Sequence, residues 1–237
     1  MIKEVKNNHL FWDGCDTVEL AKTYGTPLYV VSETAVVNEC QAFQQDFIQK
    51  YDNVRVAYAS KAFNTLAMLK IIEREGLCLD VVSGGELFTA IQADFPAEHI
   101  EFNGNNKSIE ELEMAIDYGV GRIIVDGIQE IELIQALCRE KGKTANILFR
   151  ITPEVNVSTH EFISTGQKDS KFGIPLDEEI LFPVIEQAIH APEINFYGIH
   201  FHIGSQLSDN STHLAAARVA LGLLLEIKKR FAYDVKE

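Results

Sequence analysis

Basic side chains are scarce in this sequence. Lysine and arginine total 21 against 35 aspartates and glutamates, a formal net charge of −14, and the isoelectric point lies near 4.9. Phosphate backbones and anionic lipid surfaces are held by basic footprints, so nucleic acid and membrane are not expected as main partners. Cysteine is thin too. Cys15, Cys40, Cys78 and Cys138 stand far apart with no C-x-x-C, which excludes a disulfide scaffold and predicts reduced thiols in a cytoplasmic protein. No run of 18 apolar residues occurs, and the opening MIKEVKNNHL has no apolar stretch of signal-peptide type, so neither a spanning helix nor a leader is expected. There is no G-x-G-x-x-G and no G-x-x-x-x-G-K-[ST], the glycine-rich turns of dinucleotide and P-loop sites. With 46% apolar and 24% charged residues, the chain is neither disordered nor collagen-like but of ordinary globular composition.

What is present is a rhythm. Short β-branched runs at Val54–Ala59, Leu77–Val82, Ile100–Asn103, Arg122–Asp126, Asn146–Ile151 and Ile194–Ile203 alternate with helical patterns, and the first five begin about 22–24 residues apart. That spacing holds one strand, one helix and two loops. Ser108-Ile-Glu-Glu111 has the form of a capping box opening a helix with Ile109, Leu112, Ala115 and Ile116 on one face. Ile128, Ile131, Ile134 and Leu137 form a second stripe. Six β/α units in series predict a parallel sheet, and 237 residues suit a single α/β barrel. Polar or charged residues recur at each strand's carboxyl end: Lys61, Asp80–Ser83, Asn103–Lys107, Asp126, Arg150 and His202–Ser205. In a (β/α)8 TIM barrel these ends converge on one mouth, whereas an open sheet would string them along an edge. The expectation is a barrel.

Several of these residues have two readings. Lys61, just past a buried strand, is a Schiff-base lysine if the mouth is of low dielectric, or a surface lysine at a strand end. His200 and His202 share a strand face. They suit stacking on a planar cofactor, or a hydrogen-bonded core; a metal site lacks a third ligand of matching spacing. Ser205 beside Gly204, and Ser83-Gly84-Gly85 at a helix start, could cradle a phosphate. Asp80 and Arg150 each need a partner if buried, with Lys61 a candidate neighbour for Asp80. Between Ile151 and Gly173 runs a long segment carrying His160, Glu161, Lys168, Asp169 and Lys171, a length usual for functional loops.

Taken in order, AYASKA (Ala57–Ala62), DVVSGGEL (Asp80–Leu87), GNNKS (Gly104–Ser108), THEFISTG (Thr159–Gly166) with SKFG (Ser170–Gly173), and HFHIGSQ (His200–Gln206) resemble the diaminopimelate decarboxylases. These are pyridoxal-phosphate enzymes of the alanine-racemase-like, fold type III barrel class, and the likeness runs from about Asp13 to the end. The lysine motif alone would also fit ornithine, arginine or carboxynorspermidine decarboxylases; GNNKS and THEFISTG are the specific segments. The resemblance implies α-decarboxylation of meso-diaminopimelate to L-lysine by a homodimer. Residue by residue, it implies that Lys61 carries pyridoxal 5'-phosphate as a Schiff base and that His202 stacks on its ring. Ser205 would contact the phosphate, Asp80 and Arg150 would support lysine and ring, and Lys171 would lie near the dimer interface. His202 is favoured over His200 because it is nearer the carboxyl end.

The family also has parts this sequence does not contain: a glycine-rich phosphate loop, a glutamate on the pyridine nitrogen, an E-P-G-R segment, a cysteine given across the dimer, and most of a C-terminal β domain. The chain therefore reads as an N-terminal fragment. Residues 1–27 would belong to that β domain, and 28–237 to a barrel stopping before strands 7 and 8. Such a piece is expected to be inactive by itself and, with apolar inner layers and bare first and sixth strands, prone to aggregate. A non-catalytic pyridoxal-phosphate-binding protein is the competing expectation, which GNNKS and THEFISTG disfavour.

Overall fold

The N-terminal residues, in which no strand is predicted, form a three-stranded antiparallel sheet of β1 (Lys3–Lys6), β2 (His9–Trp12) and β3 (Cys15–Asp16). This is a computed structural model, and it describes residues 2–152, 172–204 and 210–237. Ser205, Lys171 and the rest of segment 153–171, with His160, Glu161, Lys168 and Asp169, lie outside the described residues. Two helices follow, α1 (Thr17–Tyr24) and α2 (Glu33–Phe43). Each starts on a side-chain cap: Asp16 accepts the N–H of Val18 at 2.9 Å, and Ser32 that of Ala35 at 3.0 Å.

The predicted rhythm is realised from there on. Strands β4 (Ala57–Ala59), β5 (Cys78–Val81), β6 (Ile100–Phe102), β7 (Arg122–Val125) and β8 (Ala145–Thr152) are followed by a two-residue β9 (Ile174–Pro175) and by β10 (Ile194–His200). Helices α3 (Leu66–Arg74), α4 (Gly84–Gln92), α5 (Ile109–Tyr118), α6 (Ile128–Lys141), α7 (Glu178–His190) and α8 (Ser211–Phe231) alternate with them. The parallel sheet runs β10-β8-β7-β6-β5-β4, with β9 pairing β8 at the side. Every long strand thus neighbours its predecessor in sequence. A doubly wound sheet reverses its order at a switch point; this one does not, and it is a sector of a (β/α)8 barrel with six strands.

The sheet has two unlike faces, because residues alternate sides along a strand. Leu79, Val81, Phe102, Ile123, Val125 and Phe149 point at the helices and join one core with Leu69, Leu87, Leu112 and Ile131. Fully burying a side chain such as Phe102 contributes about 1.5–3 kcal/mol. The opposite face carries Asp80, Glu101, Asn103, Arg122, Arg150 and His200, which line two inner cavities. The inner face is therefore mixed rather than apolar throughout: those polar residues line its cavities, while Ile124 and Leu148, register partners on the same face, are buried apolar residues. Nor is the sixth strand's outer edge bare. Lys236 and Glu237 donate backbone N–H groups to the Tyr197 carbonyl (2.8 and 3.0 Å), and the Ile199 N–H donates to Glu237 (3.2 Å).

The capping box forms as expected: Ser108 Oγ accepts the Glu111 N–H at 3.2 Å and Glu111 accepts that of Ser108 at 2.9 Å. Of the two predicted stripes, Leu112, Ala115, Ile116, Ile131, Ile134 and Leu137 are buried, whereas Ile109 and Ile128, first residues of their helices, are exposed. Ser108→Ala removes the cap, and its expected cost is about 1 kcal/mol. Urea unfolding checks this; an unchanged midpoint would count against the cap as a stabilising element.

Candidate active site

Strand carboxyl ends do converge on one mouth. A cavity of about 440 Å3 is lined there by Lys61 after β4, Asp80 of β5, Asn103 after β6, Arg150 of β8, and His200 and His202 at and beyond the end of β10. Four of the sequence-predicted residues, Lys61, Asp80, Arg150 and His202, thus meet; Ser205 lies outside the described residues.

Lys61 sits on a single 3-10 turn, Ser60–Ala62, directly after β4. Ser60 is fully buried and donates its hydroxyl to Glu86 Oε2 at 2.6 Å, which also accepts the Val82 N–H at 2.9 Å. The lysine turn is thereby pinned to the start of α4. Asp80 is partnered by Asn103, whose Nδ2 donates to Oδ1 at 2.6 Å. Among the described residues Lys61 is within 4.0 Å of no carboxylate oxygen, so the expected Lys61–Asp80 contact is corrected to a longer-range attraction. Burial raises the Asp80 carboxyl above its usual range, opposed by Asn103 and then by Lys61.

Arg150 takes both kinds of partner a buried guanidinium needs. It donates to Asp126 Oδ1 at 3.2 Å and lies 4.4 Å from the centre of the Phe172 ring. Asp126 Oδ2 accepts the Gly173 N–H at 3.0 Å. Behind them Lys107, only 1% exposed in its side chain, donates to the carbonyls of Gly104 and Ile124 and to Glu130 Oε1, each at 2.7 Å. Glu130 Oε2 then accepts the Asp126 N–H at 2.7 Å.

The two histidines do not share a strand. β10 ends at His200, so His202 reaches the cavity from the following residues rather than by strand alternation. Burial, Arg150 and His202 push His200 down to about 4, so its ring is neutral at pH 7. His202 is lowered by burial first, then by Arg150 and Lys61. Among the described residues, Asn103 Oδ1 and His200 Nδ1 are buried with no partner, a cost that a bound group can relieve. The helix start at Ser83-Gly84-Gly85 offers no phosphate cradle: its Gly84 N–H donates to Glu111 Oε1 at 2.5 Å, and Ser83 Oγ accepts from Glu86. The cavity is also lined by Val82, Asn103, Gly104, Asn105 and Phe172, to none of which the sequence assigned an individual role. Asn103 stood at a strand end, a usable signal, and Phe172 stood within the SKFG segment.

One layer below the cavity, Glu101 is the register partner of Asp80. Burial and the Asp80 charge push it up to about 7 from 4.5. The folded protein then holds a proton that the unfolded chain releases, so this contribution to stability is full below about pH 4.5 and lost as pH rises to about 7. His200 acts in the opposite sense: its contribution is full above about pH 6.5 and lost as pH falls to about 4. Glu101→Gln is expected to stabilise the protein at pH 8 and to change little at pH 4.5. Urea midpoints at the two pH values test this; equal shifts at both would contradict the buried-carboxyl account.

A lysine beside a neutral histidine, an arginine and a buried carboxylate suits a flat, anionic, carbonyl-bearing group. Comparison with known proteins agrees. Residues 33–237 match the family model described as pyridoxal-dependent decarboxylase, pyridoxal binding domain. The diaminopimelate decarboxylase of Bacillus methanolicus is 45% identical over 231 residues, 98% of this chain and 54% of that protein. A crystal structure of diaminopimelate decarboxylase from M. jannaschii superposes with a TM-score of 0.90 at 38% identity, over 99% of this chain and 55% of that one. Another, in co-complex with L-lysine, gives 0.89 at 38%, over 98% and 54%. The chain spans about half the length of the curated relatives it matches. The two unpartnered buried polar atoms and the lysine-bearing cavity fit pyridoxal phosphate, and with the matched domain covering most of its length the chain belongs to the pyridoxal-dependent decarboxylases.

Proposed function

We propose that the protein carrying this chain decarboxylates meso-diaminopimelate to L-lysine, with pyridoxal phosphate held by Lys61. The observation that supports this most is the meeting of Lys61, Asp80, Arg150 and His202 around one cavity at the strand carboxyl ends. The substrate rests on the diaminopimelate decarboxylases to which the chain is similar. Pyridoxal phosphate, when bound, supplies the sink for the electron pair left on the α-carbon as carbon dioxide departs.

The chain's own residues do the rest. Lys61 would hold the cofactor through its amine, and its amine would stand beside the site where the substrate's amine binds. Asp80, fixed by Asn103, keeps a negative charge on the Lys61 side. His202, its pKa lowered, offers an uncharged face on which the ring can stack. Arg150, tied to Asp126, supplies positive potential for an anionic oxygen, and Ser205 is assigned to the phosphate. In this reading the protein is a cytoplasmic homodimer with Lys171 near its interface, and residues 1–27 belong with a β domain.

Carbon dioxide release by the purified holoprotein is the test. Turnover should be highest with meso-diaminopimelate. A preference for ornithine, arginine or carboxynorspermidine would overturn the substrate, and absence of turnover with all four would overturn the activity.

A further inference from the structure

We propose that Asp126 is a positioning residue whose two carboxylate oxygens join the cavity cation Arg150 to the backbone at Gly173, making the cavity wall and the root of segment 153–171 one rigid unit. The cavity side of this proposal rests on the cofactor reading above; the anchoring side does not.

The geometry is a chain of buried contacts. Asp126 Oδ1 holds Arg150 at 3.2 Å, and Oδ2 holds the Gly173 N–H at 3.0 Å. Phe172, next to Gly173, closes the loop of contacts by lying under the Arg150 guanidinium and by accepting the Thr152 hydroxyl at 2.9 Å. Asp126 itself cannot drift, because its N–H is bound by Glu130, and Glu130 is bound by the buried Lys107. Lys107 and Arg150 balance Glu130 and Asp126, so the group is neutral as a whole. Arg150 also faces Asp80, His200 and His202. Removing the Asp126 charge would leave the Arg150 guanidinium beside Lys61 and the two histidines with only the more distant Asp80 carboxylate opposing it. A carboxylate that merely filled space would not couple these two places; one shared oxygen by oxygen does.

The test uses the purified holoprotein with added pyridoxal phosphate, as wild type, Asp126→Asn, Arg150→Met and the double variant. Two quantities are read: the pH midpoint of the cofactor's visible band, and amide exchange at Phe172–Gly173. Asp126→Asn should lower the midpoint by about one pH unit, the scale of a bare charge several ångströms away. In the Arg150→Met background the same change should move it hardly at all, because the cation through which Asp126 acts is gone. Equal shifts in both backgrounds, or none, would overturn the cavity side. Exchange at Phe172–Gly173 should rise about 10-fold in Asp126→Asn, whether or not cofactor is present; unchanged exchange would overturn the anchor. If Asp126→Asn fails to fold, the double variant should fold, since it leaves no unpaired buried charge, and its failure would count against the proposal. A wild-type protein with no Lys61-dependent band would sink the cofactor reading, and exchange would still decide the anchor.

Discussion

Lys61→Ala is expected to abolish the visible absorption of bound pyridoxal phosphate and to reduce turnover to background. The expectation comes from the inventory of amines around the cavity. The only other lysine close behind its wall among the described residues is Lys107, and its three N–H donors are already taken by two carbonyls and Glu130. It is also locked in a buried ion pair, so it has neither a free electron pair nor room to move. Lys61 stands on a short turn fixed through Ser60 and Glu86, and among the described residues no carboxylate oxygen lies within 4.0 Å of it. Borohydride reduction followed by peptide mapping reads the result directly. Label at position 61 in wild type and nowhere in the variant is expected; a retained band with label on Lys107 would reassign the amine.

Lys107 is where the largest loss of stability is expected. Lys107→Ala strands Glu130 in a wall that is 11% exposed at that side chain, and breaking a buried pair from one side costs about 3–5 kcal/mol. Domains have only about 5–15 kcal/mol in hand, so a large share of the total is at stake. Removing both charges together, as Lys107→Met with Glu130→Gln, should cost much less, because no ion is left unpaired. Urea midpoints of the single and double variants separate the two cases. A single variant no worse than the double one would mean that the pair is not what holds this wall.

The outer half of the barrel was legible because its chemistry is local. Short apolar, β-branched runs such as LCLDVV and RIIVD, and the Ser108–Glu111 box, announce themselves within a few residues. Strand ends were less so. β4 is three residues rather than six, and β10 stops at His200 rather than Ile203 and carries a register shift between Phe196 and Gly198. The β1–β3 sheet escaped notice since its strands are two to four residues long and mostly half-exposed. In the site, Lys61, Asp80, Arg150 and His202 could be found from their places at strand ends. Their partners could not. That Asp80 turns to Asn103 rather than to Lys61, that Glu130 reaches back from α6 to Lys107, and that Glu111 occupies the Gly84 N–H all depend on side chains 23 to 27 residues apart. Separations of that kind leave no periodic trace.

The segment between Thr152 and Phe172 leaves and rejoins the barrel at one place: Ile151 pairs with Ile174, and Thr152 with Pro175. Whatever lies between them is attached to the scaffold like a cartridge in a socket. Lengthening a closed loop is cheap, about 0.6 kcal/mol for each doubling, and the socket's own bonds, from Thr152 to Phe172 and from Gly173 to Asp126, do not depend on what the cartridge contains. Evolution, or a protein engineer, is therefore free to exchange the insert wholesale without renegotiating the attachment beneath.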